Sequence, residues 1–92
     1  MKKVYLLVYS DSLGNREQVK GILNNIPQVE KWRFDMPNSF YIISEIGADD
    51  LVNLIHEAIM PRTCRFLITE ISSSNHQGYL PEDSWTFINM GN

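Results

Sequence analysis

From Lys2 to Ser10 the chain alternates Val4, Leu6 and Val8 against Tyr5, Leu7 and Tyr9, so both sides of the segment are apolar. Side chains of a strand point alternately to two faces, and this β-branched and aromatic run predicts a strand covered on both sides. Ser12-Leu13-Gly14-Asn15 then supplies turn residues. Asn15 followed three positions later by Gln18 has the form of a capping box, in which two side chains satisfy the free N–H groups of a helix start. The helix predicted from Arg16 to Asn25 carries Val19, Ile22, Leu23 and Ile26 at spacings of three and four, one stripe facing a sheet, and Pro27 ends it.

Val29 to Met36 alternates again, with Trp32, Phe34 and Met36 on one side and Lys31, Arg33 and Asp35 on the other. Pro37-Asn38 makes a reversal, and Ser39 to Ile46 reads as the second arm of a hairpin with Phe40 and Ile42 opposed to Tyr41 and Ile43. Asp49 and Asp50 suit the electropositive first turn of a second helix, whose stripe is Leu51, Leu54, Ile55 and Ala58 and which Met60-Pro61 stops. Thr63 to Ile71 predicts a fourth strand with Cys64, Phe66 and Ile68 against Arg65, Leu67 and Thr69. The order β-α-β-β-α-β predicts an α+β class, ferredoxin-like sandwich: a four-stranded antiparallel sheet with two helices on one face. Residues 72 to 92 form a polar loop and a tail, read as a short helix after Pro81 or as an added edge strand.

Ninety-two residues suffice for one core, and the whole chain, 1 to 92, is expected to be a single domain. An apolar fraction of 43% with no repeat or low-complexity tract excludes a disordered chain. Cys64 is the only cysteine, so no intrachain disulfide is possible, and a reducing cytoplasm is the expected compartment. The apolar run after Met1-Lys2-Lys3 is too short for a signal peptide or a membrane span, and no membrane role is expected. A formal charge of -3 gives no support to bulk nucleic-acid coating, which needs clustered cations; a local basic patch remains compatible with it.

If Val4, Leu6, Val8, Phe34, Phe40, Ile42, Phe66 and Ile68 pack under the helices, the other sheet face carries Tyr5, Leu7, Tyr9, Arg33, Tyr41, Ile43, Leu67 and Thr69. An apolar face of that size calls for a cover. One cover is the tail folding back, with Trp85 and Phe87 as a lid; the favoured one is a second copy of the chain, sheet against sheet, which makes Tyr5, Leu7, Tyr9, Tyr41, Ile43, Leu67 and Trp85 the expected interface. A third reading uses Tyr5, Tyr9 and Tyr41 as stacking platforms for single-stranded RNA, but the glycine-aromatic signature of such strands is missing.

Candidate chemistry is sparse. Asp11, just past the first strand, can either form a turn through its side chain or bind Mg²⁺ together with its copy across a two-fold axis. His56 and His76 have no partner at metal-ligand spacing, and Cys64 on the inward side of a strand predicts an inert thiol. No phosphate-binding loop, dinucleotide fingerprint or Ser-His-Asp arrangement is readable, since Gly14, Gly47 and Gly78 stand in isolated turns.

With Val8-Tyr9-Ser10-Asp11 closing the first strand, the architecture resembles the small ferredoxin-like proteins of the CRISPR adaptation endoribonuclease family and virulence-associated protein D. Leu80-Pro81-Glu82-Asp83-Ser84-Trp85 is similar to the Leu-Pro-x-x-x-Trp tail of short bacterial proteins grouped as a "SinR family", which are not the helical repressor of that name. The resemblance spans about the full length and implies a homodimer and, in its nuclease members, a metal-binding Asp at the dimer axis. Only Asp11 matches that position, and it departs from the pattern because Ser10 separates it from the aromatic Tyr9. The expected function is a non-enzymatic homodimeric interaction module engaging a nucleoprotein or toxin-antitoxin-like partner, with no cofactor. The alternative is a metal-dependent endonuclease acting on RNA or DNA, with Asp11 as catalytic residue and as ligand of Mg or Mn.

Overall fold

The structure, a computed structural model, describes residues 1–91. Its elements are β1 (Lys3–Tyr9), a 3-10 turn (Asp11–Leu13), α1 (Arg16–Asn24), β2 (Lys31–Arg33), β3 (Ser39–Ser44), α2 (Ala48–Ile59), β4 (Phe66–Glu70) and α3 (Glu82–Met90). The result is an α+β fold in which one four-stranded sheet runs β2-β3-β1-β4 with all neighbours antiparallel.

Local chemistry sets the elements. The capping box forms as expected: Asn15 N–H donates to Gln18 Oε1 at 2.8 Å and Gln18 N–H donates to Asn15 Oδ1 at 2.9 Å. Gly14 sits before it at φ +131°, a conformation that side chains rarely adopt, and a Cβ there would lie 2.8 Å from Gln18 Oε1. Asp49 and Asp50 stand in the first turn of α2, where carboxylates meet the positive end of the helix dipole.

The sheet has a core on each face. On one, Val19 and Leu23 of α1 and Leu51, Ile55 and Ile59 of α2 pack with Tyr5, Leu7, Tyr9, Phe40, Ile42 and Ile68. On the other, Phe87 and Ile88 of α3 pack with Val4, Tyr41 and Ile43, with Leu6, Ile71, Leu80 and Trp85 around them. A nine-residue helix is marginal alone in water, so α3 depends on this docking. Its buried apolar side chains each contribute about 1.5–3 kcal/mol.

Several expectations are corrected. The faces of β1 are the reverse of those expected: Tyr5, Leu7 and Tyr9 point to α1 and α2, whereas Val4 and Leu6 point to α3. Register explains it, because Tyr5 pairs with Ile42 and Leu7 with Phe40, and directly opposed residues share a face. Tyr5 also anchors there, its hydroxyl donating to Ile46 C=O at 2.7 Å. β2 is three residues long, not the eight expected, and β4 begins at Phe66. The tail, by contrast, forms the helix expected after Pro81 and not the alternative edge strand, and it lies on the sheet as a lid.

Candidate functional site

The feature that stands out chemically is a polar knot under α3. Arg33 closes β2, Asp35 follows it, Tyr41 lies opposite Arg33 in β3, and Ser84 is in the first turn of α3. Arg33 Nε donates to Ser84 Oγ at 2.8 Å, Ser84 Oγ donates to Asp35 Oδ2, and Tyr41 OH donates to Asp35 Oδ1 at 3.0 Å. Ser84 is 0% exposed, so its hydroxyl needs both partners to offset its removal from water. Burial, then the hydrogen bond to Asp35 and the negative charge behind it, push the Tyr41 phenol up to about 12, with Arg33 pulling weakly the other way.

This arrangement is a fastener. A serine nucleophile needs a base that can take its proton and a route for substrate, and here the hydroxyl is sealed, with a carboxylate and a guanidinium but no imidazole. Apart from Arg33 and Tyr41, placed on the open face, sequence reasoning missed it. The four residues are up to 51 positions apart, and only the β2–β3 register with the α3 docking brings them together.

Asp11 lies in the 3-10 turn, exposed, and its Oδ1 accepts a hydrogen bond from Asn38 Nδ2 at 3.0 Å. Among the described residues no group of three or more His, Cys, Asp or Glu is placed to hold a metal ion. Cys64 is half-buried and its Sγ donates to Ser12 C=O at 3.0 Å, a carbonyl that also accepts from Arg62 Nη1. His56 is exposed on α2, and His76 stacks on Trp85 with ring centroids 5.7 Å apart. The Ser72 carbonyl, 2.5 Å from His76 Nδ1, can only accept, so that nitrogen carries the hydrogen.

The expected interface set divides. Tyr5, Leu7 and Tyr9 belong to the core under α1 and α2 and leave the exposed face altogether; burial pushes the phenols of Tyr5 and Tyr9 up. Tyr41 and Ile43 are covered by α3, and Trp85 is half-buried beside them. Leu67 alone of the set is open, 62% exposed, and its register partner Val8 is 43% exposed on the same face. Beside α3 lies an open notch of about 330 Å³ whose walls include Leu6, Met36, Leu80 and Trp85.

No helix among the described residues is long and apolar enough to cross a membrane. Neither a protein-family model, nor a curated protein, nor a solved structure matches the chain.

Proposed function

We propose that the chain is a non-enzymatic, homodimeric interaction module built on a ferredoxin-like β-α-β-β-α-β frame to which α3 is added. The frame is supported by the order β2-β3-β1-β4, the arrangement that two β-α-β crossovers joined by a β2–β3 hairpin generate. The observation that carries the dimer is the Val8–Leu67 end of the α3-side face, where the lid stops and neighbouring apolar side chains remain in water beside an unpaired sheet edge. Against an enzyme stand the sealed serine and the lone Asp11, whose carboxylate is held by Asn38.

Sedimentation equilibrium at micromolar concentration is expected to give twice the chain mass, and Leu67→Lys is expected to give a folded monomer. A monomer mass for the unaltered chain at every concentration refutes the dimer. Incubation with Mg²⁺ or Mn²⁺ is expected to cleave neither RNA nor DNA; cleavage that Asp11→Asn abolishes replaces the module with a metal-dependent nuclease.

A further inference from the structure

β4 borders the sheet, and its free edge carries few of the devices that keep natural edges from pairing. Phe66-Leu67-Ile68-Thr69-Glu70 contains no proline, lysine or glycine, and its residues favour strand. Two hydrogen bonds that bracket the β1–β4 ladder identify the groups on that edge. Ser10 N–H donates to Arg65 C=O at 3.0 Å and Ile71 N–H donates to Val4 C=O at 2.8 Å, so the odd-numbered residues turn their backbone groups toward β1. The N–H and C=O of Phe66, Ile68 and Glu70 therefore point out of the sheet.

We propose that this edge pairs antiparallel with the same edge of a second copy about a two-fold axis through Leu67, giving one continuous sheet across the dimer. The inference rests on the dimer reading above and names the surface that makes it.

Symmetry sets the orientation, since two identical edges related by a two-fold axis pair antiparallel. Self-complementarity favours a second copy, because the exposed Leu67 and the outward backbone groups of Phe66 and Ile68 match the same groups of an identical strand. Apolar matching then selects the register. With the axis at Leu67, Leu67 meets its own copy and Phe66 faces Ile68 of the second copy, two residues whose outward backbone groups exchange hydrogen bonds. An axis at Ile68 instead opposes Phe66 to Glu70 and Leu67 to Thr69. The Leu67 pair is a non-hydrogen-bonded one, with Cα atoms about 4.5 Å apart, the closest approach a sheet offers. Val8 beside it extends the apolar strip across both copies.

Disulfide mapping tests the pairing. In a Cys64→Ser background, where a hydroxyl can keep the hydrogen bond to Ser12 C=O, Leu67→Cys is expected to become a covalent dimer under mild oxidation. Arg65→Cys is expected to link to Thr69→Cys when the two chains are mixed, and neither to link with itself. All three positions are exposed, so the fold tolerates them. If sedimentation shows a dimer but Leu67→Cys stays unlinked, or links without the Arg65–Thr69 cross-pair, edge pairing is overturned while the dimer stands. A monomer in sedimentation overturns both.

Discussion

Replacing Ser84 by Ala removes one oxygen from the polar knot and leaves the packing of α3 otherwise in place. The oxygen accepts from Arg33 Nε and donates to Asp35, so two hydrogen bonds to charged groups are lost. Such bonds contribute about 1.5–3 kcal/mol each where both ends are buried. Arg33 and Asp35 are only half-buried, and water recovers part of what each loses, which brings the net cost to about 2 kcal/mol. For a domain of this size that lowers the melting temperature by roughly 8–16 °C. The lid does not detach, because Phe87 and Ile88 still contribute their apolar burial, so far-ultraviolet circular dichroism at room temperature stays as it was. Urea titration followed by tryptophan fluorescence reads the effect, with Trp85 next to the altered residue and Trp32 in β2. Thr86→Ala, which removes an exposed hydroxyl that donates to Glu82 C=O, is the near-neutral control. A Ser84→Ala protein whose midpoint matches that control shows that the knot is a bystander and that apolar contact alone holds α3.

Alkaline stability is expected to depend on Tyr41. Its folded-state value is raised to about 12 from 10.0, so the folded state prefers the neutral phenol; that contribution is complete below pH 10 and is lost as pH rises toward about 12. Denaturant midpoints measured across that window should fall less steeply in Tyr41→Phe than in the unaltered chain, the difference isolating this ring from Tyr5 and Tyr9, and parallel slopes contradict the assignment. Gly91→Ala is expected to cost about 1–3 kcal/mol, because its Cβ would sit 2.1 Å from Val4 Cγ2 where the end of α3 meets the sheet. Gly21→Ala, in the middle of α1 with nothing within 4 Å of the new methyl, is expected to stabilise by about 0.5–1 kcal/mol. Calorimetry of the two single variants decides, and equal shifts refute the close approach at Gly91.

Much of the frame was legible because its signals are local. The Asn15–Gln18 capping box, the helical stripe through Leu51 and Ile55 and the proline stops act within a turn or two of chain, and each formed where it was expected. The face of β1 was not legible, since Val4-Tyr5-Leu6-Leu7-Val8-Tyr9 offers no polar side to mark solvent, and a strand without one has its orientation fixed only by its partners. β2 is shorter than its pattern for a related reason. Trp32, Phe34 and Met36 do alternate, but only Lys31 to Arg33 find a ladder, and Asp35 is drawn off to Ser84 and Tyr41. That same non-local geometry kept the knot out of reach, for nothing near Ser84 in the chain announces an arginine and an aspartate some fifty positions upstream.

The sheet order has a consequence for how the chain reaches its fold. β1 lies between β3 and β4, so the first strand in sequence waits until residue 44 for one neighbour and until residue 70 for the other. Until then both of its apolar sides and both of its edges are bare, and no hairpin partner is near enough to shelter them. Pairings of such long sequence separation are closed late, after most of the chain's freedom has been given up. During synthesis or refolding the segment Val4 to Tyr9 is therefore the part of the molecule most open to capture by a neighbouring chain, and crowded or rapid refolding should lose material there first.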